Sequence, residues 1–420
     1  MKLILKNATI IDSESSFNNK TVDIKIENGT ITAIENNLAD EKGFQTIIYE
    51  NLHVSQGWFD SSVSFGEPGF EDRETIANGL ETAAKSGFTD IALQPDTYPV
   101  LGNQQGINFV INKSKGFAAK LHPIGALTKN SEGNDIAEMF DMKNAGAVGF
   151  GDYKKPLENA NLLKIALQYV QDFNGLVITD CLDQKIKGKG VVHEGEVSTQ
   201  LGLKGIPSLA EEIQVARNLF LLEYTGGRLH IPTISTEKSV QLIKEAKAKG
   251  LNVTCSVAVH NLILTDEKLI DFDTRYKVMP PLRNEDHRKA LIKGILDGTI
   301  DMITSDHSPI DIEYKKMEFD LSQYGTIGLE SAFGALNTIL PLEVIIEKLT
   351  SGKKVFNINS YKIEKGNLAS LTLFNPAGER TFSKNDILSK SKNSAFLGQP
   401  LKGSVYGIYN QEKLILNNNE

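Results

Sequence analysis

Cysteine is scarce in this chain: Cys181 and Cys255 are the only two in 420 residues. Two thiols cannot build a disulfide framework, and such low usage fits a reducing compartment. An excess of positive charge is also missing. The formal net charge is −8, which makes nucleic acid and anionic membrane poor partners. Long apolar runs are absent as well. The start, Met1-Lys2-Leu3-Ile4-Leu5, is broken at once by Lys6, Asn7 and Asp12. Neither a signal peptide nor a membrane span is expected, and the expected location is the cytoplasm. Repeats and low-complexity tracts are lacking too. What remains, 40% hydrophobic and 23% charged residues, is the composition of an ordinary globular protein. The length suits one large domain with a small satellite.

The two ends of the chain share a texture. Residues 1–54 read as short strands, such as Val22-Asp23-Ile24-Lys25-Ile26 and Ile31-Thr32-Ala33-Ile34, joined at Glu27-Asn28-Gly29, a strong hairpin signal. Residues 350–420 repeat it, with Ala369-Ser370-Leu371-Thr372-Leu373 alternating and Val405 to Tyr409 facing Leu414-Ile415-Leu416 across a turn. A small β-sandwich domain built from both termini is expected. Residues 55–349 alternate strand and helix. Strands are expected at 57–65, 88–94, 120–127, 147–151, 176–181, 228–234, 251–257 and 300–306, short and rich in Val, Ile and small residues, as strands buried on both faces should be. This points to a (β/α)8 barrel, with a doubly wound sheet as the competing architecture. Ser208-Leu209-Ala210-Glu211 reads as a capping box opening a helix whose apolar side carries Ile213, Ala216 and Phe220. A second helix, 237–249, aligns Val240, Ile243 and Ala246 and stops at Gly250. Residues 182–206 and 310–325 read as long connections, the second charged and mobile.

The stretch Asp60-Ser61-Ser62-Val63-Ser64-Phe65-Gly66-Glu67-Pro68-Gly69 ends the first of these inner strands. Strand alternation puts Ser62 and Ser64 on one face. The stretch resembles the first strand of the amidohydrolase superfamily, and the dihydroorotases most closely. The likeness continues through Ser86-Gly87-Phe88-Thr89, His193 to Ser198, Tyr276 to Arg283, Ser305-Asp306-His307-Ser308-Pro309 and Ser389 to Asn393. It implies the barrel fold and a metal centre at the C-terminal mouth. There, one or two divalent ions, usually zinc, would lower the pKa of a bound water for attack on a cyclic amide.

The same resemblance shows where this chain departs from the family. The His-x-His of the first strand is Ser62 and Ser64. The bridging carboxylate falls on Tyr153 in Gly149-Phe150-Gly151-Asp152-Tyr153-Lys154, or on Asp152 if the register slips by one. Lys154 and Lys155 come one and two residues past it. The histidines of the fifth and sixth strands are Asp180 and Thr233, and only the eighth-strand aspartate persists, as Asp306. His230 persists three residues before the ligand position and is expected to face elsewhere. Zinc takes imidazole, thiolate and carboxylate at about 2.0–2.2 Å, and neutral hydroxyls are not among its usual ligands. Substrate positions change in parallel. The arginine that grips the substrate carboxylate is Gly66, two asparagines are Asp96 and Met279, and a histidine is Ile310.

These departures set the functional expectation: a dihydroorotase-like protein without zinc and without hydrolysis. Asp306, the family's proton acceptor, would then be silent. No cofactor is expected. Asp60, Asp96, Asp152, Asp180 and Asp306 offer oxygen ligands to a hard divalent cation such as magnesium, and the competing reading is that hydrogen bonds and ion pairs neutralise them. The family implies a role in pyrimidine biosynthesis as a non-catalytic partner of aspartate carbamoyltransferase, within a homo-oligomer. The alternative is an active dihydroorotase or related cyclic amidase with a rebuilt site.

Overall fold

The computed structural model describes residues 1–417. Eight parallel strands form the inner sheet, and they follow one another in chain order: Trp58–Val63, Phe88–Leu93, Lys120–Gly125, Gly149–Phe150, Val177–Ile178, Leu229–Ile231, Val253–Ala258 and Met302–Thr304. A parallel bridge from Val63 to His307, with the Ser64 amide donating to the His307 carbonyl at 2.8 Å, joins the last strand to the first. That closure makes the sheet a barrel and rules out the doubly wound alternative, which would leave two open edges. Every residue of the first two strands is buried, because helices cover the outside and side chains fill the inside.

The terminal strands hydrogen-bond as one continuous sheet, in which Lys2–Ile11 and His53–Gln56 meet Leu371–Thr381 and Pro400–Asn410. They surround their own apolar core of Leu3, Ile24, Ile26, Leu371, Leu373 and Tyr409. Trp58 locks this sheet to the barrel. Its indole donates to Ser55 Oγ at 2.9 Å, and its rings lie 5.1 Å from Phe333 and 5.6 Å from Phe374. Gly57 just before it leaves no room for a side chain: a Cβ there would lie 2.1 Å from Thr89 Oγ1.

The helix Leu209–Thr225 forms, but it buries a different face from the one expected. Ala210, Glu211, Gln214, Val215, Asn218, Leu219 and Leu222 face inward, while Ile213 and Phe220 are exposed. Ser208 makes no side-chain cap. Glu211 instead accepts from the Ser235 and Thr236 amides at 2.8 and 3.1 Å, on the next strand–helix loop. A barrel interior that wants a carboxylate has taken the residue the local pattern assigned to the cap. The helix Glu237–Ala248 matches expectation, with Val240, Ile243 and Ala246 buried and Gly250 at φ +82°. Residues 182–206 hold two short helices and a two-stranded parallel ladder, Val192–His193 with Gly205–Ile206. Among the described residues, no helix is long and apolar enough to cross a membrane.

The N-terminal end of the barrel is sealed by charge. Lys353 Nζ lies 2.8 Å from Asp90, and His122 Nε2 lies 2.8 Å from its other oxygen. Burial alone would raise the Asp90 carboxyl, but the Lys353 ammonium and His122 imidazole more than offset this and hold it well below the usual range. His122 therefore belongs to the barrel floor. Lys353→Met would leave this buried carboxylate without its ammonium partner and cost about 3 kcal/mol, read as a lower urea midpoint at unchanged slope.

Candidate functional site

The strand ends of the barrel bring the sequence candidates together at the mouth. Ser62 Oγ donates to Asp306 Oδ1 at 3.1 Å, and Lys154 Nζ lies 2.9 Å from Asp306 Oδ2. The Lys154 main-chain amide donates to Asp180 Oδ2 at 3.0 Å. Beside this, Ser64 Oγ donates to Asp96 Oδ2 at 3.0 Å, with Arg73 at 3.8 Å from the same oxygen. Lys154, Thr233 and Asp306 all have left-handed backbones, φ +55°, +47° and +49°. Such angles are uncommon for residues with a Cβ and concentrate at functional or over-determined positions. At Lys154 the turn aims the amide at one carboxylate and the side chain at another.

The two neighbouring candidates at the end of the fourth strand turn in different directions. Asp152 is turned toward the third-strand loop, where it accepts from the Leu127 and Thr128 amides at 2.9 and 3.0 Å. Tyr153 and Lys154 face the mouth, the ammonium 4.9 Å from the Tyr153 ring centroid. The aspartates do not converge. Asp60 is held by Thr304, the Ser305 amide at 2.9 Å and the Ser62 amide at 3.0 Å. Asp96, Asp180 and Asp306 have the partners given above. Among the described residues, no three His, Cys, Asp or Glu side chains are grouped so as to hold a metal ion. Of the six positions that the resemblance marks as ligands, four, Ser62, Ser64, Tyr153 and Thr233, carry hydroxyls, a donor set that does not fit zinc.

The four residues that the resemblance sets at substrate positions have the following surroundings. Gly66 sits at φ +93°, and a Cβ would meet the Phe70 carbonyl oxygen at 2.9 Å. Ile310 is buried, and its amide donates to Asn393 Oδ1 at 3.1 Å. Met279 lines a small cavity of about 30 Å³ that also touches Lys154, Asp180, Thr233 and Arg283. Asp96 is paired inward with Ser64 and Arg73, as described.

The electrostatics follow from burial. Desolvation pushes the Asp180 carboxyl up to about 6, against the opposing pull of the Lys154 amide and ammonium. Burial pushes the Tyr153 phenol up. Burial would lower the Lys154 ammonium, but Asp306 outweighs it and holds the proton on firmly. His260, fully buried, is pushed down to about 4 by desolvation, and neither ring nitrogen has a hydrogen-bond partner. His307 is structural: its Nδ1 accepts from the Gly328 amide at 3.2 Å. His230 packs edge-on against Phe356 and pairs with Thr254 near the barrel floor, away from the mouth. Burial raises both thiols, Cys255 to about 12, so neither is a ready thiolate.

Sequence reasoning weighed Lys154 only as a register problem and did not consider Arg73. Opposite charges on adjacent barrel loops were the available signal, but spacing along the chain does not reveal which cation meets which carboxylate. Nor is the segment 310–325 loose. Lys315 Nζ donates to the Thr274 and Lys277 carbonyls at 3.0 and 3.1 Å, and Lys277 Nζ to the Phe319 and Asp320 carbonyls at 2.6 and 3.0 Å.

With the fold and mouth described, the chain can be set beside known proteins. By fold it is a (β/α)8 barrel with an appended β-sheet domain. It superposes on an L-hydantoinase (dihydropyrimidinase) from Arthrobacter aurescens with TM-score 0.85 at 22% identity, covering 100% of this chain and 96% of that one. A D-hydantoinase from Thermus sp. gives TM-score 0.82 at 20% identity, with the same coverage. The family profile described as dihydro-orotase-like matches residues 53–239. A dihydroorotase from Pelotomaculum thermopropionicum is 40% identical over 416 residues, 96% of each chain. One from Thermoanaerobacter sp. is 41% identical over 414 residues, 96% of this chain and 95% of that one. The chain belongs to the dihydroorotase family.

The buried Lys315 gives a test of how the mouth-side segment is held. Burial, then the charges of Lys277 and Lys154, push its ammonium down to about 7. In the unfolded chain it keeps its proton to about 10.4. Between those values the unfolded state binds more protons, so stability rises with pH. Urea unfolding at several pH values should show a gain of up to roughly 4 kcal/mol from this group between pH 7 and 10. Lys315→Met should flatten that rise.

Proposed function

We infer that this member of the dihydroorotase family does not hydrolyse cyclic amides through zinc, and that it serves pyrimidine biosynthesis as a non-catalytic partner. The observation that carries the reading is the donor set at the mouth. Hydroxyls stand at four of the six ligand positions, and the remaining two, Asp180 and Asp306, already accept from Lys154. A metal hydroxide needs ligands that bind the ion tightly and leave one position open, and this set supplies neither. Asp306 is then a buried acceptor with no hydroxide to serve. The altered Gly66, Asp96, Met279 and Ile310 point the same way, because a cation that would grip an acidic substrate is gone and a carboxylate has been added. A homo-oligomer and an aspartate carbamoyltransferase-like partner complete the proposal. Its support is the family likeness, together with an exposed apolar row on the helix Leu209–Thr225: Leu209, Ile213, Phe220 at 70% and Tyr224 at 78% exposure.

The relatives favour a second reading. Those found at 40% and 41% identity are named dihydroorotase, and nothing in these comparisons speaks for loss of activity. Under that reading the chain opens or closes a cyclic amide with a rebuilt site.

Zinc content of the purified protein and dihydroorotate turnover in both directions separate the two readings. The expected result is no stoichiometric zinc and no turnover; zinc with turnover would establish the enzyme. Restoring histidines at Ser62 and Ser64 should leave turnover undetectable, since Asp180 and Thr233 still stand where the family has histidines and Gly66 still replaces the substrate-gripping arginine. Adding Gly66→Arg should lower the melting temperature without raising activity, because position 66 is both left-handed and in contact with Phe70. For the partner role, sedimentation with the aspartate carbamoyltransferase of the same cell should show a complex that Phe220→Glu weakens at least tenfold.

A further inference from the structure

We propose that the Lys154 ammonium is the resident cation of the barrel mouth, a tethered charge occupying by covalent attachment the electrostatic place that a metal ion holds in the family. This rests on the reading that the mouth is not a zinc site, and it goes further by naming what balances the carboxylates instead. Four observations support it. The ammonium lies 2.9 Å from Asp306 Oδ2, while Ser62 takes the other oxygen at 3.1 Å, so the one ligand-position aspartate common to the family is fully engaged. The same residue's amide reaches Asp180 at 3.0 Å, so one residue serves two ligand positions from two strands. The left-handed backbone at Lys154, φ +55°, is what allows this, since it sends amide and side chain to different neighbours. The Tyr153 ring backs the ammonium at 4.9 Å, a cation–π contact in a desolvated setting.

Asp306 side-chain exposure is 2% and that of Lys154 is 19%. A carboxylate so deeply buried requires a partner. No other Lys or Arg lies within ion-pair distance of Asp306 among the described residues. A divalent ion entering the mouth would first have to displace the ammonium, which is attached to the chain and therefore always present at high effective concentration. The mouth is thus expected to be indifferent to metal.

The test is a double-mutant cycle with a metal arm. Lys154→Met and Asp306→Asn should each lower the melting temperature by several degrees, because each leaves the other group buried and alone. The double variant should melt close to the milder single variant, since neither charge is then stranded. Additive losses, with the double variant melting below both singles by their sum, would overturn the proposal. Wild-type protein should melt at the same temperature with excess manganese, with excess zinc and after exhaustive chelation. A rise with either metal, or a fall on chelation, would overturn it even if Lys154→Met fails to fold. Turnover is read separately. Metal-free hydrolysis by the wild type would end the non-catalytic reading and leave the coupling result standing.

Discussion

A carboxylate buried at the end of a barrel strand must be balanced, and the way Asp306 is balanced governs the whole mouth. Its exposure is 2%, and its partners are an ammonium at 2.9 Å and a hydroxyl at 3.1 Å. Taking that charge out of water costs several kcal/mol unless geometry and hydrogen bonds return most of it. The arrangement around Lys154 returns it. The left-handed turn after the fourth strand, the tyrosine behind the ammonium and the second carboxylate on the backbone amide all belong to one solution. Altering any part of it leaves a buried charge exposed to low dielectric.

The same demand is met at the other end of the barrel by different residues. Asp90 is buried between Lys353 and His122, and Asp301 accepts from Lys247 at 2.7 Å and from the Cys255 amide at 2.8 Å. Barrel interiors place polar groups at both ends because strand termini expose amides and carbonyls there. The floor uses them for closure. The mouth, framed by longer loops, is where chemistry is placed in barrels of this kind. In this chain both ends use closed ion pairs. The mouth therefore resembles a floor in its electrostatics while keeping the shape of a site.

The architecture could be read from the sequence because it is written locally. Eight short runs of β-branched and small residues, separated by helical spacing, gave the barrel, and Asn28-Gly29 gave the hairpin of the terminal sheet, with Thr30–Glu35 following at once. What could not be read depends on tertiary pairing. Glu211 has the spacing of a capping residue, yet a loop from the next strand claims its carboxylate. Ile213 and Phe220 share a side of their helix, but the opposite side is buried, because the barrel needs Gln214 and Asn218 facing inward. Segment 310–325 looks mobile by its charge, and that charge is what fastens it, through amines donated to carbonyls. Lys154 is the sharpest case. Nothing along the chain distinguishes it from Lys155, and only the φ of +55° and the position of Asp306 set them apart. The absence of histidines at positions 62, 64, 180 and 233 was legible; the pairing of Lys154 with Asp306 was not.

An ammonium and a divalent ion are alike in neutralising carboxylates and unlike in everything a hydrolase needs. The ion has exchangeable positions, so water can bind, lose a proton near neutral pH and attack. The ammonium has three donors and no vacant orbital, and here one donor is fixed on Asp306. Exchanging one for the other keeps Asp306 paired with a cation and removes the Lewis acid. It also relaxes the demand on the surrounding positions. Once no ion has to be held, imidazoles at positions 62, 64 and 233 have no ligand role, and small hydroxyls are adequate: Ser62 donates to Asp306 and accepts from Gln94, and Ser64 donates to Asp96. Under the non-catalytic reading, then, the serines, the threonine and the lysine are one substitution in physical terms: the hydroxyls are permitted because the ammonium is present, and the ammonium has room because the imidazoles are gone.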